Sequence, residues 1–266
     1  MHRTPSQTDP SGGASRPALP CVDEMSVVGP GGSPGRTQDP VSGPRRIRGI
    51  VFDMDGVLCD SEELMAEASC AMFRETHGVS PSTSDFHEFM GRGSESYFGG
   101  VGRKHGVTAV LPRDRDRTYE IFREVIRGRL KPLPGVAAFT TAARSAGIRL
   151  AVATSADPIK LDAILVEIGL PHSTFDALVT AEDVTHNKPD PEIFVHAMTR
   201  LGLPPADCVV VEDTVPGITA ALGSGARCLA LHTTFARERI EPLGPHWIAP
   251  DLAHLPGDFL RDCGLA

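Results

Sequence analysis

Two aspartates, two positions apart, stand at the end of an apolar run. Asp53 and Asp55 follow the run Ile50 to Phe52 and precede Gly56. Side chains two residues apart on an extended chain point to the same side, so both carboxylates are expected to enter one space. Two like charges that close would keep one carboxyl protonated unless a cation compensated them. The pair is therefore typical of a site that holds a metal and does chemistry.

Three later segments present further polar residues after apolar runs. They are Thr154 with Ser155, Lys188, and Glu212 with Asp213. Together with the aspartate pair they supply a carboxylate nucleophile, a carboxylate for proton transfer, hydroxyl donors, one cation and an acid pair. That set suits phosphoryl transfer, where catalysis consists mainly of positioning and charge neutralisation. Carboxylate ligands with water favour Mg²⁺.

The order of the elements predicts the fold. The chain begins with a buried strand, Ile47 to Phe52, and is then helical with no strand as far as Leu130. Strands and helices alternate afterwards, with an edge strand predicted at Trp247-Ile248. We therefore expect an α/β fold, a doubly wound parallel sheet with an inserted all-α cap domain. Ligands of such sheets bind beyond the carboxyl ends of the strands, where the polar residues lie.

Domain boundaries follow from the same pattern. The α/β core is predicted over residues 47–62 and 131–266, and the helical cap over 63–130. Ser61 is the expected N-cap of the first helix, and a second short helix is expected from Ser84 to Met90. A stronger helix is predicted from Arg115 to Leu130, and its aromatic stripe, with Tyr119 and Phe122, is expected to pack in the core. Ser155 is equally a candidate N-cap of the later helix that starts at Ile159.

Residues 1–46 are about half Gly, Pro, Ser or Thr and contain no aromatic residue. They are expected to form a disordered tail, or to result from a start upstream of Met25.

Composition limits the classes of partner. The 266 residues carry a net charge of −8, which argues against a nucleic-acid-binding protein and leaves no basic patch for a membrane surface. No apolar run approaches the roughly 20 residues needed to span a bilayer. The six cysteines include no C-x-x-C pair and are expected to be reduced thiols. We expect a cytoplasmic monomer that acts on a small phosphorylated metabolite.

The four motifs, taken together and in order, resemble those of the haloacid dehalogenase superfamily of aspartyl-nucleophile phosphotransferases. The first is D-x-D-G-V at Asp53 to Val57, and the second is the hydroxyl of Thr154. The third is N-K-P-D-P at Asn187 to Pro191, and the fourth is V-E-D-T at Val211 to Thr214. The resemblance covers roughly residues 47 to 250.

The resemblance implies a role for each motif residue. Asp53 attacks phosphorus and forms an aspartyl-phosphate, and Asp55 protonates the leaving oxygen and then activates water. Thr154, with Ser155, binds the phosphoryl group, and Lys188 neutralises it. Asp213, assisted by Glu212, binds Mg²⁺ together with Asp53 and the backbone carbonyl of Asp55.

The cap loop resembles that of the β-phosphoglucomutase-like branch, with two departures. The mutases of that branch have a histidine on the first cap helix, where this chain has Met65. They also have a loop arginine for the distal phosphate, where this chain has Ser94, with Arg92 two residues earlier. Arg92 and Ser94 are the candidate substrate residues of the cap. The run Phe89 to Val101 is also similar to the phosphatase-like domain of plant suppressor-of-quenching proteins.

Three functions remain open from the sequence. The first is a Mg²⁺-dependent phosphatase for a sugar phosphate or a phosphoglycolate-like compound. The second is a sugar-phosphate mutase of the β-phosphoglucomutase type, which Met65 disfavours. The third is a catalytically inactive binding module, which the presence of Asp53, Asp55 and Lys188 disfavours.

Overall fold

The structure, a computed structural model, describes residues 46–89 and 93–266. The predicted tail, apart from Arg46, lies outside the described residues. So does Arg92, together with the end of the helix predicted from Ser84 to Met90. The disordered tail and the role of Arg92 therefore remain predictions.

A six-stranded, fully parallel sheet forms the centre of the fold. Its strand order is β3-β2-β1-β4-β5-β6. The predicted doubly wound parallel sheet is therefore confirmed. The strands are β1 Gly49–Phe52, β2 Arg149–Ala153, β3 Ala177–Val179, β4 Cys208–Glu212, β5 Arg227–Leu231 and β6 Trp247–Ala249.

The sequence order of the strands reverses beside β1. The chain passes from β1 to β2 and β3 on one side and then returns to place β4 on the other side of β1. Ligands of open α/β sheets bind at such a reversal, beyond the carboxyl ends of the strands. Phe52 pairs with Val211 in the β1–β4 register, so the residues after both strands emerge at the same level.

Helices connect the strands and form the cap segment. Between α1 and α3 the described residues contain helices and turns but no strand, as predicted. The division of the chain into a core domain and a cap domain remains a prediction. The helices are α1 Glu62–His77, α2 Ser94–Lys104, α3 Arg113–Ile126, α4 Val136–Ser145, α5 Pro158–Glu167, α6 Glu192–Leu201, α7 Val215–Gly223, α8 Arg237–Ile240 and α9 Gly257–Cys263.

The prediction of one short helix from Ser84 was wrong, and the predicted N-cap Ser61 is confirmed in its position but makes no capping contact. The segment expected to form one helix from Ser84 instead contains two short 3₁₀ turns, Thr83–Asp85 and His87–Phe89. Ser82 and Asp85 form a reciprocal capping box that closes the first turn after three residues. Ser61 precedes α1, but its side chain makes no capping hydrogen bond. Its hydroxyl donates to the Asp55 carboxylate instead.

The sheet is buried on both faces, which explains why its strands are continuously apolar. Alternate residues of β1 enter different apolar clusters: Ile50 and Phe52 pack on one face and Val51 on the other. The first cluster continues into the cap through Phe73 and Phe122. The second is formed with residues of α6 and α7. The aromatic stripe of α3, predicted to be core, is buried.

The described cysteines, 59, 70, 208, 228 and 263, are free and buried, in agreement with the prediction of reduced thiols. Within the described part of the chain, no helix has the combined length and apolar character needed to cross a bilayer.

Phe52 offers a direct test of the central strand. It is fully buried, and its ring makes edge contacts with Phe139 at 6.2 Å and Phe175 at 6.4 Å between ring centroids. Phe52→Ala should therefore lower the free energy of unfolding by about 3–5 kcal/mol, because it removes apolar contact and leaves a cavity. Val166→Ala, on an exposed side chain of α5, should change it by less than about 0.5 kcal/mol. Urea denaturation measures both, and equal effects would contradict the assigned core.

Candidate active site

Strand β1 places Asp53 at the sheet edge. The residue follows Phe52 directly, its amide donates to the Val211 carbonyl at 3.0 Å, and its side chain is buried. The chain then turns sharply, because the Met54 carbonyl accepts hydrogen bonds from the amides of residues 57–59. Asp53 is therefore held by the sheet, and the residues after it by a compact turn.

Gly56 is required in this turn for two reasons. Its φ is +80°, a backbone conformation that favours glycine. A Cβ at this position would also lie 2.0 Å from Asp213 Oδ2. The glycine of the first motif thus makes room for the acid of the fourth motif.

Lys188 connects the first and fourth motifs. Its Nζ donates to Asp53 Oδ1 at 2.6 Å, to Glu212 Oε1 at 2.8 Å and to the Ala153 carbonyl at 3.3 Å. Burial alone would lower the pKa of Lys188, but the charges of Asp53 and Glu212 raise it. The ammonium therefore stays protonated and fixes Asp53 through one of its two oxygens.

The loop that carries Lys188 is braced by Glu192. The carboxylate of this residue, at the start of α6, accepts the amides of Thr185 at 2.9 Å and His186 at 2.8 Å. The Lys188–Pro189 peptide bond is cis. The contacts of Glu192 order the backbone just before Lys188.

Glu212 is fully engaged by protein donors. Besides the bond from Lys188 to Oε1, its Oε2 accepts the amides of Asp213 at 2.7 Å and Thr214 at 2.8 Å, and the Thr214 hydroxyl at 3.0 Å. A Cβ at Gly217 would lie 1.8 Å from Glu212 Oε1. Glu212 is thus built into the start of α7, where it anchors Lys188.

Asp213, unlike Glu212, has carboxylate oxygens without hydrogen-bond donors in the described part of the chain. Its side chain is fully buried, yet neither carboxylate oxygen accepts a hydrogen bond from the described residues. Burial first, and then the charges of Glu212 and Asp53, raise the pKa of Asp213 to about 9. The Thr234 side chain and the charge of Lys188 oppose this rise in pKa only in part. A buried carboxylate without donors is unfavourable unless something compensates its charge.

Asp53 experiences the same excess of negative charge. Burial raises the pKa of Asp53 to about 7, with Lys188 opposing the shift and Glu212 adding to it. One oxygen each of Asp53, Glu212 and Asp213 lie within 4.8 Å of one another. Carboxylate oxygens so arranged, of which those of Asp213 have no hydrogen-bond partner among the described residues, suit a hard divalent cation such as Mg²⁺. The residues present therefore fit the predicted metal.

Asp55 has partners of its own. Its Oδ2 accepts a hydrogen bond from Lys160 Nζ at 2.8 Å, and its Oδ1 accepts one from the Ser61 hydroxyl. Burial alone would lower the pKa of Lys160, but the charge of Asp55 opposes this effect and the pKa is raised. The two aspartates of the first motif thus bind separate lysines.

Thr154 and Ser155 follow β2, as predicted. Thr154 is buried, and its hydroxyl oxygen accepts the Ala156 amide at 3.1 Å, which leaves its hydrogen available to a ligand. Ser155 is not the N-cap of α5, the alternative that the sequence left open, because Asp157 occupies that position. Ser155 lines a cavity instead.

This cavity, of about 430 Å³, lies between cap residues and loops after β2 and β3. Its polar lining includes Ser94 and Arg115 from the cap and Ser155, Asp157 and Asn187 from the core. Ser94, a predicted substrate residue, therefore does face the sheet edge. Arg92, its predicted companion, lies among residues 90–92, outside the described residues.

Asp157 joins the cap to the core. Its Oδ2 accepts hydrogen bonds from the Tyr119 hydroxyl and from Ser94 Oγ at 3.4 Å, and it lies 3.9 Å from Arg115 Nε. Burial, followed by the hydrogen bond to Asp157, raises the pKa of the Tyr119 hydroxyl. Tyr119 was expected to be core packing; its ring is buried as expected, but its hydroxyl reaches the cavity wall.

Three polar residues at the site were not predicted to belong to it: Lys160, Asp157 and Arg115. Each lies on or just before a helix at no recognisable motif spacing, so neither periodicity nor strand ends indicate it. The available signal for Lys160 was its position in the first turn of α5, where a cation is unfavourable.

A sequence model of the haloacid dehalogenase-like hydrolases matches residues 47–225. The chain belongs to this family. The prediction drawn from the four motifs is confirmed, and with it the prediction of a hydrolase of the haloacid dehalogenase type.

Named relatives refine the placement within the family. Protein SUPPRESSOR OF QUENCHING 1, chloroplastic, from Arabidopsis thaliana is 38% identical over 216 residues, covering 79% of this chain but only 20% of that protein. The predicted resemblance to the suppressor-of-quenching proteins is thus confirmed. The phosphorylated carbohydrates phosphatase of Thermotoga maritima is 33% identical over 177 residues, covering 66% of this chain and 81% of that enzyme.

Solved structures agree with the fold. CbbY from Rhodobacter sphaeroides, crystallised with phosphate, has a TM-score of 0.67 and 27% identity, covering 78% of this chain and 95% of that one. A mutant of the same protein was crystallised with xylulose-(1,5)bisphosphate. This chain and CbbY therefore have similar folds as well as similar sequences.

The carboxylate cluster predicts how metal-free protein responds to pH. Asp53 and Asp213 have raised pKa values of about 7 and about 9 in the folded state, against a reference value of 3.8. Between the unfolded value of 3.8 and the folded value of about 9, the folded state thus binds more protons than the unfolded chain. The free energy of unfolding should therefore fall as pH rises through this range. With EDTA, the melting temperature should be lower at about pH 8.5 than at about pH 5.

Mg²⁺ should raise the melting temperature more at the higher pH, since a cation competes with protons for these oxygens. Asp213→Asn is the matched variant and should reduce both the pH dependence and the response to Mg²⁺. A melting temperature insensitive to Mg²⁺ at both pH values would contradict the metal assignment.

Proposed function

We propose that this protein is a Mg²⁺-dependent phosphatase that hydrolyses a small phosphorylated metabolite through an aspartyl-phosphate on Asp53. The observation that carries the proposal is the arrangement around Asp53: Lys188 binds one oxygen, while the unpaired acid Asp213 lies beside it. A nucleophile, a fixed cation and a cation-binding acid together meet the needs of phosphoryl transfer.

Asp53 is the proposed nucleophile. Lys188 occupies its Oδ1, and Oδ2 makes no hydrogen bond to the described residues. Oδ2 is therefore the atom that attacks phosphorus, while Lys188 keeps the carboxylate oriented and offsets charge on the phosphoryl oxygens. Covalent catalysis then divides hydrolysis into formation and hydrolysis of an acyl phosphate.

The proposed Mg²⁺ site consists of Asp213, Asp53 and the backbone carbonyl of Asp55. Glu212 was also predicted as a ligand, but its oxygens already accept one ammonium, two amides and a hydroxyl. We assign it to positioning Lys188. Bound Mg²⁺ would supply positive charge against the carboxylates and the phosphoryl oxygens.

Asp55 is the proposed acid and base, and Thr154 and Ser155 the proposed hydroxyl donors. Asp55 gives its proton to the leaving oxygen and then takes one from the attacking water. Thr154 donates its free hydroxyl hydrogen to a phosphoryl oxygen, and Ser155 contributes from the cavity wall.

A sugar phosphate is the proposed substrate class. Two relatives support it: a phosphatase named for phosphorylated carbohydrates, and a structural neighbour crystallised with phosphate and with a sugar bisphosphate. The cavity next to Ser155 is of a size for one small metabolite. Ser94 and Arg115 provide polar groups for it, and Arg92 remains a candidate. The cytoplasmic location and the monomeric state likewise remain predictions.

The test is a turnover screen with Mg²⁺ over sugar phosphates, phosphoglycolate and nucleotides, read as released phosphate. The wild type should hydrolyse several members, and Asp53→Asn should lower kcat by at least about 10⁴-fold, since it removes the nucleophile. Asp162→Asn, on an exposed acid of α5, is the matched control and should retain wild-type activity.

Other outcomes would select the alternatives. Isomerisation of β-glucose 1-phosphate, stimulated by a bisphosphate and exceeding phosphate release, would establish a mutase despite Met65. Wild-type activity equal to that of Asp53→Asn on every compound would establish a catalytically inactive binding module and overturn the proposal.

A further inference from the structure

Lys160 occupies a position that two local preferences oppose. It is the third residue of α5, and a cation in the first turn of a helix interacts unfavourably with the helix dipole. It is also buried, as are Leu161 and Ile164 of the same helix. A buried ammonium is costly unless it is paired. Violations of local rules are expected where a residue serves a function.

The partner of Lys160 is the carboxylate of Asp55. Nζ lies 2.8 Å from Oδ2, and the Ser61 hydroxyl donates to Oδ1. The two donors come from different elements, since Lys160 belongs to α5 and Ser61 directly precedes α1. A carboxylate held at both oxygens from two directions has one orientation, whereas a free aspartate side chain can rotate.

The Asp55 clamp, formed by Lys160 and Ser61, is separate from the arrangement around Asp53. Lys188 contacts Asp53 and Glu212, and Lys160 contacts Asp55. Each aspartate of the first motif therefore has its own buried lysine. A buried ion pair contributes little to stability, and a hydrophobic residue in its place is often as stable or more so. Stability alone therefore does not account for a lysine at position 160.

We propose that Lys160 and Ser61 are positioning residues that hold the Asp55 carboxyl group in the orientation in which it exchanges a proton with the leaving group. The inference rests on the proposed phosphatase function. In the step concerned, the Asp53 Oδ2–phosphorus bond forms and the bond from phosphorus to the leaving oxygen breaks. The electron pair of the broken bond goes to the leaving oxygen, which takes the proton of Asp55. Each Asp55 oxygen has a second lone pair, so the clamp leaves room for that proton.

Leaving-group dependence distinguishes positioning from other roles. Proton donation matters most for poor leaving groups and least for good ones. Loss of the clamp should therefore slow poor leaving groups selectively. A lysine that bound the phosphoryl group itself would affect all substrates alike, because that group is common to them.

The experiment compares kcat/KM for a series of substituted phenyl phosphates with Mg²⁺, from 4-nitrophenyl to 4-methoxyphenyl phosphate. Lys160→Met should lower the value for the 4-methoxy compound about 10- to 100-fold and that for the 4-nitro compound at most a few-fold. Lys131→Met, on an exposed lysine, is the matched control and should match the wild type throughout. Thermal denaturation of each variant shows that it is folded.

One further variant, at the other residue that holds Asp55, keeps the inference testable if Lys160→Met does not fold. Ser61→Ala, a smaller change, should give the same selectivity for poor leaving groups with a smaller loss. Asp55→Asn and the double variant Asp55→Asn/Lys160→Met should have equal rates, since Lys160 acts through the carboxylate that is then absent.

Three results would overturn the inference. They are an equal loss for all leaving groups, no loss in either clamp variant, or an additive loss in the double variant. If the wild type is active and the variants give any of these three results, the inference fails but the proposed phosphatase function still holds. A wild type that hydrolyses none of the phosphates overturns the proposed function and this inference together.

Discussion

Three carboxylates lie side by side at the buried ends of β1 and β4, and the rest of the site follows from compensating their charge. The parallel register of the two strands brings Asp53 to the level of Glu212 and Asp213. Removing such groups from water costs several kcal/mol per ion unless they are paired. Lys188 compensates two of them, and Asp213 remains without a donor. Gly56 and Gly217 permit this close approach, because a side chain at either position would overlap a carboxylate. The same excess charge that makes the metal-free site unfavourable is what would make it a cation site.

The parts of this arrangement that depend on local sequence were predictable. Buried parallel strands are continuously apolar, so β1, β2, β4 and β5 stand out in the sequence, and polar residues after them mark the site edge. The first and fourth motifs and Thr154 were found in this way, whereas Lys188 was found in the loop after the short strand β3. The family that these motifs predicted is confirmed. The edge strand at Trp247 and the aromatic core stripe of α3 were also correctly predicted.

The contacts that depend on packing between distant elements were not predictable. Lys160 and Asp55 are 105 residues apart and meet only because α5 packs beside the turn after β1. Ser61 has the sequence position of a helix cap, yet its hydroxyl donates to a carboxylate across the turn and makes no bond with the helix amides. Asp157 and Tyr119 likewise come together only through the approach of the cap to the core. Sequence periodicity reports which face of an element is buried, but it does not report what that face contacts.

The account depends most on Asp53 as the nucleophile, and a trapping experiment tests this directly. The enzyme is mixed with Mg²⁺ and a hydrolysed phosphate ester, quenched in acid during turnover, digested, and examined by mass spectrometry. The predicted result is one added phosphoryl group on the peptide that contains Asp53, absent from the Asp53→Asn variant. A phosphoryl group on another residue, or steady turnover with no labelled peptide at any quench time, would contradict the account.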